Sequence, residues 1–447
     1  MSAARRGQAL LGVLVALVLV SVPWLGVDAW AFDAPAASGG PLGWLTALVD
    51  GRWDLGLVRA PALMSAVAAV VAAVLLPRAE PWRRIVLIAA TALVVLALLV
   101  PATLLQVGLR DGTEPWFHTN DAAYQVELAG ERILDGDNPY GRTYLGTGLE
   151  RFYSLDGTPV TDGRVETVAL DHLAYFPGLP VLGAVAASLP GPLGDVRILM
   201  LLFAVALVPA ALLVPGPLEL RLGVGALLAA NPLMVRSTWF GILDAPVVLA
   251  LVVAFALALR GRWGWTGVVV ALALAQKQYA IVAVPFLALA AWQVGGAAAL
   301  RRSGVALAAV LAALLVPFLL WDPRAFLDDT VVYGTSAYRI VGYGLSGILV
   351  DLGLVERDGS YPFALIALVT WLPATLVLLV RQRRDPAPWR AALGFALSFL
   401  VLAWIARYFQ TSGLVYPLAG LLVAAQIALA PLLAGHGGGS ARAEEAP

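Results

Sequence analysis

Apolar runs of about the length needed to cross a bilayer recur through this chain, and nothing else constrains its fold so strongly. They fall near 8–25, 60–77, 85–106, 173–190, 197–215, 242–260, 303–321, 361–380, 388–406 and 413–434. A helix needs about 20 apolar residues to span the hydrocarbon core, and it satisfies its own backbone polar groups there. The strand alternation that a barrel would need is absent. Of the 447 residues 60% are hydrophobic and 13% charged, about half the charge of a soluble domain. The expected fold is an all-α polytopic membrane protein of about 11–13 crossing helices. Residues 1–434 form one membrane domain, and a Gly/Ala/Glu-rich tail, 435–447, is expected to be disordered.

Two stretches read less simply. Residues 264–292 are too long for one span and short for two, so two short helices are expected to meet around Gln276–Lys277–Gln278. Residues 219–235 read as a short or re-entrant helix ending at Asn231–Pro232, since proline restricts the residue before it. Short loops rich in arginine (Arg5/Arg6, Arg78/Arg83/Arg84, Arg260/Arg262, Arg301/Arg302, Arg381/Arg383/Arg384) all become cytoplasmic on this reading. Both termini are then cytoplasmic, and residues 107–172 form a large loop on the outer face of the inner (plasma) membrane. Arg5–Arg6, an apolar run and Ala29-Trp30-Ala31 also loosely fit a signal peptide; the length of the run favours an uncleaved first span.

Formal net charge is zero, which argues against a nucleic-acid partner. With no cysteine, disulfides, zinc–thiolate sites and a cysteine nucleophile are excluded. There is no phosphate loop and no nucleophile elbow, which argues against ATP use and a serine hydrolase. The rich Ala, Val, Leu, Arg and Gly content resembles a high-GC bacterial genome.

The polar chemistry gathers in residues 107–172, with 12 Asp/Glu against five Arg and with interleaved aromatic rings. Carboxylates beside rings are a common way to hold sugars; a merely solvated acidic loop is the plain alternative. Within it, 120–134 reads as an amphipathic helix capped by Asn120 or Asp121, with Ala122, Val126, Ala129 and Ile133 on one face, lying along the membrane surface. Asp135–Tyr140 follows as a tight turn. Asp135-Gly136-Asp137 has a metal-binding spacing but coincides with that turn, so no divalent metal or other cofactor is indicated.

These residues resemble a known family. Asp121 after an outgoing span, a surface helix with Tyr124, and the turn Gly136-x-Asn138-Pro139-Tyr140 resemble the first outer loop of the GT-C fold. More narrowly they resemble glycosyltransferase family 87, the polyprenyl-phosphate-mannose-dependent mannosyltransferases of actinobacteria. Tyr175-Phe176-Pro177, Asn231-Pro232 with Gly241 and Asp244, and Lys277 between short helices fit the same pattern. The likeness covers roughly 85–430, and the two spans before it are an extra pair relative to the shortest form of the fold. It implies inverting transfer of a sugar, mannose by preference, from a polyprenyl phosphate to the hydroxyl of a lipid or glycan acceptor.

On that resemblance Asp121 is the general base rather than only a helix cap, with Asp137, Asp171 and Glu127 as other candidates. Tyr124, Asn138, Tyr140, Tyr175 and Asp244 join it as substrate-binding residues. Lys277 is the single lysine beside 28 arginines, and it lies in an apolar run where a cation is costly. It binds the lipid phosphate or else snorkels to the interface, with Gln276, Gln278 and Tyr279 adding hydrogen bonds. Arg407 and Arg339 are further phosphate candidates. His172 and His118 either bond a substrate or sit at the interface. A transporter or flippase for a polyprenyl-linked lipid, and an assembly subunit, are the competing readings.

Overall fold

The computed structural model describes residues 2–25, 40–49, 56–153, 170–337, 340–357 and 359–434. Arg339, Ala29-Trp30-Ala31, residues 154–169 of the large loop and the tail 435–447 lie outside them. Within them the protein is almost wholly helical. One two-residue parallel strand pair, Val341–Gly342 with Tyr408–Phe409, is the exception.

Among the described residues seven helices are long and apolar enough to cross a membrane: Ala3–Trp24, Gly56–Val74, Glu80–Asp111, Val196–Leu213, Gln278–Trp321, Phe363–Arg384 and Thr411–Leu433. Shorter apolar helices, Ala245–Leu259, Trp263–Gln276 and Arg390–Ile405, pack among them. Small residues let the backbones approach. Gly225 leaves only 3.0 Å between an added Cβ and Val208 Cα, and a Cβ on Gly267 would stand 2.1 Å from Ser303 O. The outward faces are apolar too. Leu63, Met64, Val67, Val70 and Val71 repeat at helical spacing and are all exposed. Such a stripe is untenable in water and natural in lipid. The chain is therefore a multi-pass membrane protein.

The bundle has two chemically different ends. Glu80–Asp111 has 32 residues, about 48 Å at helical rise, and separates Arg83 and Arg84 from Arg110. At the first end, called here the arginine end, Arg6 lies 3.5 Å from Glu219, and Gln293 donates to the carbonyl of Gln382 at 2.9 Å. The other end carries residues 112–153 and is called the loop end.

Two of the expected spans are corrected. The run 173–190 is not a crossing. Its helix, Gly178–Ala187, has 10 residues, about 15 Å against a core of about 30 Å. The chain then returns at Asp195 to the end it left, because Asp195 pairs with Arg110 at 2.9 Å. Conversely, 219–235 is no re-entrant stub. Leu218–Ala230 and Pro232–Phe240 are bent by 45° and together meet the test of a span. Glu219 is at the arginine end beside Arg6, whereas Trp239 reaches the carbonyl of Trp24 at 3.1 Å. Asn231 makes the bend tolerable by accepting from the amides of Leu233 and Met234, which start the second half. The two errors cancel in parity, so every later arginine loop keeps the end assigned to it.

The run 264–292 does break where expected. Trp263–Gln276 ends at Lys277, which is extended, and Gln278–Ala283 is a tighter turn leading into Val284–Trp321. The last of these turns back at Gly296, whose φ of 61° lies where side chains are disfavoured.

The predicted surface helix is Asp121–Leu134, capped by Asn120 Oδ1, which accepts from Ala122 N at 2.9 Å. Val126 and Ala129 are buried as expected, while Ala122 and Ile133 are only partly so. The helix is covered by protein more than the pattern suggests, since Tyr124, Gln125, Glu127 and Gly130 are buried as well. It crosses Gly178–Ala187 at backbone contact. A Cβ on Gly130 would stand 2.2 Å from Ala184 N, and one on Gly183 would stand 2.1 Å from Val126 O. Gly183→Ala is therefore expected to destabilise the loop end by about 1–3 kcal/mol, the range for forced overpacking. A lowered melting temperature in detergent would show it; an unchanged one would mean the crossing can open at no cost.

Candidate active site

Asp121 sits at the first position of its helix, and its Oδ1 accepts from Ala122 N at 2.9 Å. Because Asn120 supplies the true cap, the Asp121 carboxylate is not the only group closing the helix start. Ala123, two residues on, presses against Gly241, where an added Cβ would come within 2.7 Å of it. Ala122, Ala123, Leu243 and Tyr175 share one apolar cluster. The head of the helix is thus seated on the segment that leads into Asp244.

Asp244 and Lys277 meet directly. Lys277 Nζ is 2.5 Å from Asp244 Oδ1, and the Tyr416 hydroxyl donates to the same oxygen at 2.7 Å. Both charged residues are buried, and Tyr175 lies 5.9 Å beneath the ammonium. Asp244 Oδ2 has no partner. The lysine is buried, and its charge is met by an aspartate 33 positions earlier. Of the residues expected beside Lys277, Tyr279 packs edge-on against Tyr416. Gln278 Nε2 instead ties Thr330 O (3.1 Å) to Ala174 O (3.4 Å).

The motif residues Tyr124, Asn138 and Tyr140 are buried, and they bond the protein itself. The Tyr124 hydroxyl donates to Thr147 O at 2.5 Å, and burial raises its pKa to about 12. Asn138 Oδ1 accepts from Tyr140 N at 3.1 Å, and the Tyr140 hydroxyl donates to Tyr175 O at 2.9 Å. These contacts explain why the turn has its composition: it hangs the loop on the segment 172–175. All three thus brace the loop in this fold. Arg407 is also engaged, donating to Gly359 O at 3.2 Å beside the short strand pair.

The residues that sequence reading missed are Arg110, Asp195, Arg197 and Asp329. Arg110 grips Glu127 at 2.6 Å and Asp195 at 2.9 Å, and Arg197 reaches Asp195 at 2.5 Å. Burial pushes the Glu127 carboxyl above its ordinary value against the pull of Arg110. Glu127, a candidate base by position, is therefore spent on a structural clamp that joins the surface helix to two crossing helices. The signal was present, for Arg197 stands one residue into an apolar run with Asp195 as its cap.

His118 belongs to the same knot. Its carbonyl accepts from Arg197, its φ is 54°, and both ring nitrogens are buried without partners. Burial, then the Arg197 charge, lowers its pKa to about 4. The folded pKa lies below the ordinary 6.5, so the fold prefers neutral imidazole. Its contribution is complete above pH 6.5 and is lost as pH falls toward 4, about 3 kcal/mol at 1.36 kcal/mol per unit. Asparagine tolerates positive φ. His118→Asn is thus expected to flatten the melting temperature between pH 4 and 6.5, and a slope as steep as the wild type would assign the effect to another group.

His172 pairs with Asp329, Nδ1 to Oδ1 at 2.8 Å, and stacks on Tyr333 with ring centroids 4.6 Å apart. Asp329 Oδ2 accepts from Gly141 N at 2.8 Å. Burial raises the Asp329 pKa, and the Gly141, His172 and Leu173 donors draw it back. Among the described residues no group of three His, Asp or Glu is arranged to hold a metal ion.

The loop end thus holds the Asp121 carboxylate at a helix start, a buried ion pair and an ionic clamp. No family model matches this chain, and no curated protein matches it either.

Proposed function

We propose that the protein is a GT-C-type glycosyltransferase of family 87 character, working on the outer face of the inner membrane. It moves a sugar, mannose by preference, from a polyprenyl-phosphate donor to a hydroxyl of a lipid or glycan acceptor. Asp121 is the base. The acceptor oxygen attacks the anomeric carbon as its proton passes to the Asp121 carboxylate. The bond from that carbon to the phosphate oxygen breaks on the opposite face, and the polyprenyl phosphate leaves with the electron pair. One stereocentre inverts. The base needs only to reach the proton and be ionised.

The observation that carries the reading is the placing of Asp121. A carboxylate stands at the head of a helix locked to the bundle at Gly241 and by the Arg110–Glu127 pair. Asn120 Oδ1 and Asp121 Oδ1 both accept from Ala122 N at the helix start, which fixes the position of the carboxylate. The sequence pattern around it is what favours sugar transfer over lipid translocation. Purified protein in nanodiscs, given radiolabelled polyprenyl-phosphate-mannose and bacterial acceptor lipids, is expected to move label from donor to acceptor. Translocation of the intact donor without any transfer would replace this reading with the flippase.

A further inference from the structure

A cavity of about 350 Å³ opens at the loop end between residues 141–143, the pair Asp171–His172 and the segment 322–329. It falls within the size range of small-molecule sites. His172 lines it, with its side chain 26% exposed, while its partner Asp329 is buried. Asp329 receives the amide of Gly141 and therefore acts as an acceptor. A carboxylate there accepts from His172 Nδ1–H, and in that neutral tautomer Nε2 is the acceptor on the far edge of the ring. Stacking on Tyr333 holds the ring plane. With Nδ1 engaged by Asp329, Nε2 is the ring nitrogen left to a ligand.

Charge narrows the occupant. Four carboxylates border the space against Arg142 and Arg324, which disfavours an anion. Three of the four are already used. Asp329 holds His172, Asp322 Oδ1 accepts from Ala325 N at 3.0 Å, and Asp328 faces Arg324 at 3.7 Å. No trio among the described residues is set for a metal ion. A neutral group rich in hydroxyls matches what remains. It can donate to Nε2 and to Asp171 and accept from the Arg142 guanidinium, which has five N–H donors.

We propose that this cavity binds a neutral polyhydroxylated group, the headgroup of a glycolipid or a soluble glycan, with His172 Nε2 accepting one of its hydroxyl hydrogens. As the seat of a transfer acceptor it rests on the reading above; as a binding site it stands without it. Gln278 links the two regions, since it donates to the carbonyl of Thr330, the residue after the lining Asp329, and is the neighbour of Lys277.

The chain has three histidines, so nitrogen-15 histidine labelling of the full protein in nanodiscs gives a spectrum simple enough to assign. Two probes are added separately: methyl α-glucoside in solution, and glucosyl-diacylglycerol within the nanodisc. The His172 Nε2 resonance is expected to move while that of His118 does not. Movement with the soluble probe assigns a free glycan, and movement with the lipid alone assigns a membrane headgroup. His172→Asn keeps an amide able to donate to Asp329 but has no atom at Nε2. It is expected to weaken probe binding by about tenfold, one lost hydrogen bond, as read by calorimetry. His172→Gln, with an amide near the Nε2 position, is expected to restore part of it and serves as the second variant should His172→Asn fail to fold. A His172 signal unmoved by both probes overturns the proposal, and so does wild-type affinity in a folded His172→Asn. Neither result depends on sugar transfer, so loss of this site and loss of the transferase reading are told apart.

Discussion

Replacing Asp121 with asparagine is expected to lower sugar transfer by about 10³-fold, within the span of general-base effects, while the melting temperature hardly moves. The reason lies in how the helix begins. Asparagine keeps an oxygen able to accept from Ala122 N, and Asn120 remains the cap. Only a charge near the helix N-terminus is lost, about 0.3–1 kcal/mol. A thousandfold is about 4 kcal/mol of barrier at 1.36 kcal/mol per tenfold, so the kinetic effect dwarfs the structural one. Radiolabelled polyprenyl-phosphate-mannose is the substrate for the measurement. Equal transfer by the wild type and Asp121→Asn would remove Asp121 from the chemistry and return it to the role of helix-start residue.

The second large effect is expected at Lys277, and it falls on stability first. Lys277→Ala leaves the buried Asp244 with the Tyr416 hydroxyl on one oxygen and no partner on the other. Breaking a buried pair from one side costs about 3–5 kcal/mol, whereas replacing both partners by apolar groups is often neutral. Lys277→Ala is therefore expected to unfold at much lower temperature, and Lys277→Met with Asp244→Leu to recover most of the loss. Scanning fluorimetry of the detergent-solubilised protein distinguishes the cases. A Lys277→Ala protein of normal stability but weakened donor affinity would instead make the lysine a ligand for the lipid phosphate, the role its position in the sequence suggested.

The contrast between these two residues shows where sequence reading stops. The helix that begins at Asp121 was legible because its surroundings are local: a cap, a helical spacing and a turn within twenty positions. Lys277 was singled out for good reason, since a lone cation in an apolar run needs an explanation. Its partner could not be named, because Asp244 lies on another helix and no local spacing links them. The same holds for His172 and Asp329, separated by 157 positions. Most crossings were legible because lipid demands length and apolarity together. The run 173–190 was misread because hydropathy cannot tell a helix surrounded by lipid from one surrounded by protein. Glycine at 130 and 183 was the missing clue, and it has meaning only once the two helices are known to touch. The motif tyrosines and Asn138 are bonded within their own part of the fold, which the local sequence pattern alone does not reveal.

The crossing of Asp121–Leu134 with Gly178–Ala187 has a mechanical consequence. Backbone rests on backbone there, with no side chain between to bend or reorient. The Tyr140–Tyr175 bond ties the segments flanking these two helices, and the Arg110 clamp fixes the surface helix to the crossing helices beside them. Asp121 and His172 are therefore mounted on a single plate. Any event that tilts the plate at one residue carries the other with it, and by reciprocity the work done is the same in either direction. A directed change at one of these centres cannot be made without retuning its companion.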